Sequence, residues 1–189
     1  MIKTSDKLIK ISTGRLCLLA LIIFLAFVIL VLPGQSARAE ENTGASGSPD
    51  LSLFYTVGDL YGWARSYGQA GRTDYIIARF TFDLVWPLVY GFFLVTAISW
   101  LVDRVSRLGS PWRITNLVPL LGMLFDYLEN VSASIVMARY PAETDWVAWL
   151  ATLFTPLKWI SISLGFLALV SAAIIFLWIK FQRKNTADS

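Results

Sequence analysis

The chain has 189 residues, 56% of them hydrophobic and only 15% charged, with a formal charge of +3. That balance belongs to a membrane protein of one domain, and the Lys and Arg residues sit at the ends of apolar runs rather than on one polar face, which argues against a nucleic-acid partner. There is no histidine and a single cysteine, Cys17, so no Cys/His zinc site, thiol relay, axial haem histidine or Ser/His/Asp triad can be assembled. No cofactor, metal site or catalytic residue is expected, and Cys17 reads as a small apolar filler.

A spanning helix needs about 20 apolar residues, and four segments come near that length: Leu16 to Leu32, Phe80 to Val102, Ile114 to Met137, and one ending at Trp178. The first follows Lys3, Lys7, Lys10 and Arg15 and reads as stopped by Pro33 and Gly34. Ala37 and Ala39 then offer a small-residue cleavage site, so residues 1–34 are either a signal peptide or an anchor. The run exceeds the usual apolar region of a signal peptide, which favours a retained anchor. Cleavage would leave three spanning helices in the same orientation.

Residues 35–50, with the polar stretch "EENTGASGSPD", read as a flexible linker on the outer side. Residues 51–72 predict a short amphipathic helix on the outer membrane surface or across the bundle mouth. Thr56 and Asp59 have capping-box spacing, Leu60, Trp63, Ala64 and Tyr67 recur at helical spacing, and Gly68 or Gly71 can end it. Residues 73–180 hold spanning helices two to four. The second reads as one helix from Thr73 with Pro87 placed to kink it. The stretch from Trp146 to Trp178 would reach about 50 Å against a hydrocarbon core of roughly 30 Å. Pro156 is its natural dividing point, leaving an interfacial piece and a span from Trp159. Residues 181–189 form a basic tail.

Positive charges set the orientation. The leading lysines, the group Arg104, Arg107 and Arg113, and the tail's Lys180, Arg183 and Lys184 all belong on the cytoplasmic side. Both termini are then cytoplasmic, with an inner-membrane location and the lipid bilayer as the obligatory partner. Trp86, Trp146, Trp149 and Trp159 fall toward the outer ends, and Trp100, Trp112 and Trp178 toward the inner ends, as indole prefers. The expected fold is all-α: a multi-pass transmembrane bundle of four helices with a short outer amphipathic helix.

The third helix carries the chemistry. At 100° per residue, Asp126, Glu129 and Asn130 fall within about a 100° arc, shared by Gly122, Ala133 and Met137. That face must look into the bundle, because these groups would lack partners in lipid. The Leu, Ile, Val and Phe residues between Leu117 and Met137 supply roughly 5 kcal/mol of insertion free energy, against about 3 lost to one central Asp. The helix is marginal alone and depends on its neighbours. Expected counterparts are Arg79 and Asp83, four residues apart on the second helix, and Lys158 on the fourth, with Arg72 as a further cation. Asp126 lies about 16 Å below Met137, deeper than an interfacial Lys158 reaches, so it is the acid expected to lack a cation. The sequon "NVS" at Asn130 falls inside the span and reads as chance.

The run "PDLSLFYTVGDLYGWARSYGQAGRTDYIIARFTFDLVWPLVYGFFL", followed by "NLVPLLGMLFDYLEN" and "FTPLKW", resembles a group of small, uncharacterised bacterial integral membrane proteins. The resemblance covers roughly Pro49 to Trp159 and implies a bacterial four-helix membrane protein; it brings no reaction, ligand or catalytic residue. Three functions stay open on the residues. The cluster Arg79, Asp83, Asp126, Glu129, Asn130 and Lys158 binds or passes a proton or a small polar or amphipathic molecule. Alternatively it is structural, in a scaffold that associates with a membrane-protein partner or with copies of itself. In the third reading, Asp126 and Glu129 serve as the acid and base of a lipid-modifying enzyme.

Overall fold

A computed structural model describes residues 2–43 and 47–187. Its elements are helices: α1 (Ile2–Ile11), α2 (Gly14–Ala26), α3 (Leu32–Thr43), α4 (Val57–Ser66), α5 (Gly68–Phe80), α6 (Phe82–Val105), α7 (Val118–Arg139) and α8 (Asp145–Ala187). Short 3₁₀ turns occupy Pro49–Leu51 and Pro111–Leu117, and among the described residues there is no strand. Four stretches are long and apolar enough to cross a membrane: Gly14–Arg38, Gly68–Val105, Pro111–Arg139 and Asp145–Asn185.

Their burial is uneven. In the most apolar window of the second stretch 72% of residues are buried, against 6% in the first and 17% in the last. Helix α6 is therefore the centre of the bundle, while α2 and α8 turn Ile22, Leu25, Leu167 and Ile174 outward. An apolar surface of that extent suits lipid rather than water.

Several boundaries differ from the sequence expectation, each for a local reason. Pro33 and Gly34 do not stop the first helix. A π-helical turn over Phe27–Val31 precedes Pro33, its wider coil accommodates the pyrrolidine ring, and the helix continues as α3 to Thr43. The linker expected over 35–50 is thus helical for much of its length; residues 44–46 lie outside the described ones. Asp50 ends in a 3₁₀ turn. Helix α4 has the expected capping box, with Thr56 N donating to the Asp59 carboxylate at 2.8 Å and Asp59 N to Thr56 Oγ1 at 3.2 Å. The Thr56 N–H bond, with the Thr56 hydroxyl donating to Asp59 Oδ2 at 2.7 Å, holds the exposed Asp59 carboxyl below its ordinary pKa. Gly68, at φ +63°, separates α4 from α5, so residues 68–72 open the next helix instead of closing this one.

The second span is two helices that meet at Thr81, whose backbone (φ −121°, ψ −78°) is not helical, while Pro87 lies inside α6. Pro156 does not divide the last stretch. Helix α8 runs unbroken for 43 residues, a length of about 65 Å. Pro156 has no N–H, so the Thr152 carbonyl loses its helical donor, yet the helix continues through this single missing rung. Beyond Phe176, whose ring meets Trp100 at 5.6 Å, none of residues 177–185 of α8 is buried.

The N-terminal segment is part of the bundle, which its basic composition did not suggest. Ser5 Oγ donates to Arg113 O at 2.7 Å, and Asn116 Nδ2 donates to Ser99 Oγ at 2.9 Å and to Ser5 O at 3.3 Å. Arg113 pairs with Asp6 at 3.3 Å and Asp103 at 3.4 Å. Ser5, Ile9 and Asn116 are all buried, so α1 is docked across the ends of α6 and the Pro111–Leu117 turn.

Two apolar cores result. One joins Tyr55, Leu60, Ala64 and Tyr75 to Ala133, Val136 and Met137 of α7 and Ala148 of α8; the other joins Ala20, Phe93, Leu94, Ile98 and Ala172. Where α7 faces α8, a Cβ on Gly122 would stand 3.0 Å from Ile162 Cγ1, 3.5 Å from Ile162 N and 3.6 Å from Ser161 Cβ. Gly122→Val is therefore expected to push the two helices apart and cost about 1–3 kcal/mol, read as a lowered unfolding midpoint in detergent. Gly34→Ala, with nothing within 4 Å, is expected to leave the midpoint unchanged. Equal midpoints for the two variants would contradict this packing.

Candidate functional site

Between the two cores lies a layer of charge. Glu129, fully buried on α7, meets Lys158 of α8 with Nζ 2.5 Å from Oε2, and Thr155 Oγ1 donates to its Oε1 at 2.6 Å. Lys158 also lies 5.2 Å from the ring centre of Trp159, whose Nε1 donates to Ser52 O at 3.0 Å. Arg79 forms a second group. Its Nε stands 2.8 Å from Asp83 Oδ2, so an ion pair bridges the break at Thr81, and its Nη1 pairs with Asp50. The guanidinium also faces the ring of Tyr75 at 4.6 Å.

Asp126 is placed differently. Tyr90 Oη donates to its Oδ2 at 3.1 Å and Asn130 Nδ2 to its Oδ1 at 3.3 Å; among the described residues it forms no ion pair. It is buried, as are Tyr90 and Asn130. Burial of Asn130 also puts the sequon out of reach of any glycosyl donor.

All six residues singled out on the sequence fall in this layer, and the helical arc is the reason: Asp126, Glu129 and Asn130 share one face that points to α6 and α8. Arg72 is not among them. It donates to Ala64 O at 2.8 Å and lies 4.9 Å from the Tyr140 ring, because it sits near the start of α5, seven residues before Arg79. Four members were not foreseen. Asp50 comes from the segment read as linker, and Thr155 is a small hydroxyl in an apolar run. Tyr55, expected only as an aromatic of the outer segment, is buried beside Glu129. Burial first, and then the negative charge of Glu129, push its phenol up. Tyr75 looks like a core aromatic from its spacing. The capping residue Asp59 was legible; these four are not, because each is defined by what it meets across the fold.

Asp126 and Glu129 engage separate partners, one neutral and one cationic. Among the described residues no three Asp, Glu or Cys side chains are grouped to hold a metal ion. Comparison with protein-family models, with curated proteins and with solved structures finds no match for this chain.

The Glu129–Lys158 pair has a measurable consequence. Removing one member leaves the other charged, buried and alone, whereas removing both leaves an apolar contact. Lys158→Met is expected to destabilise by about 3–5 kcal/mol, and Glu129→Met with Lys158→Met to recover most of that loss in a double-mutant cycle followed by thermal unfolding. Additive losses would mean the two side chains do not act as a pair.

Proposed function

We propose that this chain is an integral membrane protein of the bacterial inner membrane, with both termini cytoplasmic, whose buried polar layer takes up and releases a proton at Asp126. One observation carries the reading: Asp126 is buried between α6 and α7 with only neutral partners, the Tyr90 hydroxyl and the Asn130 amide. Both partners are two-sided. A tyrosine hydroxyl can donate to a carboxylate or accept from a carboxylic acid, and an amide offers a donor and an acceptor. The site therefore serves either protonation state without rebuilding the packing. Glu129 is the contrast, since the Lys158 ammonium can only donate and fixes it as a carboxylate.

The charge balance supports the same residue. Asp50, Asp83, Asp126 and Glu129 face two cations, Arg79 and Lys158, so one or more of the acids has no cation to match it. Buried ionisable groups within a membrane are functional by default, and a proton needs no cavity. In proteoliposomes loaded with a pH-sensitive dye and held at zero potential by potassium and valinomycin, an external acid pulse is expected to reach the lumen faster through the wild type than through Asp126→Asn. Equal rates, with the variant folded and inserted to the same extent, would remove Asp126 from this role.

The completeness of pairing at Glu129, Lys158, Arg79 and Asp83 favours a second reading, in which the layer serves only to set helix register within a scaffold or assembly partner. That reading expects no proton movement and leaves stability as the sole casualty of each substitution.

We further infer that the first segment is retained as an anchor. Its removal would strip Asn116 and Arg113 of the bonds they make to Ser5 and Asp6. Intact-mass measurement of protein released from membranes is expected to include residues 1–39. A mature chain beginning after Ala39 would refute retention and leave the Asp126 reading untouched.

A further inference from the structure

At the end of the bundle opposite α1, two arginines meet one tyrosine and a third precedes it in the chain. Arg72 Nη1 donates to Ala64 O at 2.8 Å, and its guanidinium lies over the Tyr140 ring at 4.9 Å. Arg65 Nε donates to the Tyr140 hydroxyl at 3.3 Å, and Arg139, the chain neighbour of Tyr140, donates through Nε to Thr144 Oγ1 at 2.7 Å. Among the described residues none of the three has a carboxylate at ion-pair distance, whereas Arg79, Arg113 and Lys158 each have one. Glu143 of the adjoining loop and Asp145 at the start of α8 lie near Tyr61, whose phenol is pushed up by burial first and, against the lowering hydrogen bond from Thr144 N, by their charges.

Beside the arginines opens a recess of about 380 Å³, lined by Gln69, Arg72, Thr73 and Tyr140 together with Ile76 and Met137 of the first apolar core. Its chemistry is that of an anion site. A guanidinium has five N–H donors in a planar fork, and Arg72 gives the Ala64 carbonyl only one of these contacts. The carbonyl and the aromatic face hold the fork in place, so little side-chain freedom is left to lose on binding. Gln69 supplies amide donors. The Thr73 hydroxyl donates to Gln69 O and so faces a ligand as an acceptor only. This is also the end that the positive-inside bias leaves poor in unpaired cations on the orientation proposed above.

We propose that this recess binds a phosphate group, with Arg72 as its principal ligand, Gln69 adding donors, and Arg65 and Arg139 raising the local potential. The fork geometry matches two phosphate oxygens at once. The group can belong to a phospholipid head in the adjacent leaflet or to a soluble phosphate; both present the same oxygens. Only the lipid source rests on the membrane reading, and the site does not depend on proton movement at Asp126.

The test uses the full chain in nanodiscs of phosphatidylcholine. Orthophosphate is titrated at constant ionic strength against chloride and followed by calorimetry, and parallel discs containing phosphatidylglycerol are assayed for lipid retained by the released protein in native mass spectrometry. Saturable orthophosphate binding assigns a soluble phosphate, and selective retention of phosphatidylglycerol without it assigns a lipid head. In either case Arg72→Gln is expected to weaken binding at least tenfold, Arg72→Lys less, and Asp126→Asn not at all. If Arg72→Gln does not fold, the pair Arg65→Gln with Arg139→Gln, both at exposed positions, is expected to weaken binding severalfold and decides the matter. Binding of neither probe to the wild type, or binding undiminished in the folded arginine variants, overturns the site.

Discussion

A charge taken out of water into an apolar interior has to be met by another, and the contact between Glu129 and Lys158 is where this chain satisfies that condition. The pair joins α7 to α8 between two apolar cores that would tolerate sliding if they met directly, since aliphatic contacts carry little directional information. Turning α7 by one residue would swing Glu129 through about 100° and leave both charges unpaired. The register of α7 is thereby fixed, and Gly122, seven residues before Glu129, is carried to the same face. There it lets α7 approach Ile162 and Ser161, one turn past Lys158. Ion pair and close approach are consequences of the same rotation.

The second ion group extends this order to α5 and α6. Arg79 holds Asp83 across the break at Thr81, so the two helices stay aligned although the backbone between them is not helical. Asp50 brings the segment before α4 onto the same guanidinium, Ser52 accepts from Trp159, and Tyr55 lies beside Glu129. Residues 50–55 therefore form a strap over the charged layer. Without it Arg79 would lose a partner and Glu129 would lose part of its cover, so the strap is as much a part of the site as the helices are.

How much of this the sequence discloses depends on the range of the interaction involved. The amphipathic arc on α7, the Thr56–Asp59 cap and the four apolar runs are encoded within a few residues, and each is present in the structure. Breaks are another matter. Pro33 and Pro156 look like helix ends because a proline removes a donor and crowds the preceding turn. In the fold, a π-helical turn makes room for one, and the helix runs on through the other with a single rung missing. Asp50, Tyr55, Thr155 and the docking of α1 through Ser5 and Asn116 rest on contacts between distant parts of the chain, and no local pattern marks them. Arg72 shows the converse error: charge alone suggested a place in the buried layer, but its position on α5 carries it to Tyr140 instead.

The contrast between Glu129 and Asp126 bears on what the layer is for. A network that served register alone would gain nothing from an acid held by neutral partners, since a leucine or asparagine there would pack without the cost of burying a carboxyl. Glu129 is locked by an ammonium and a threonine hydroxyl, and its protonation would leave the lysine buried and unpaired. At Asp126 a proton changes only which group of the Tyr90 and Asn130 contacts donates and which accepts. The two acids, one turn apart on the same helix, thus divide the work. One charge holds α7 against α8, and on the proposed reading that rigidity would let the other carboxyl change state without the bundle moving.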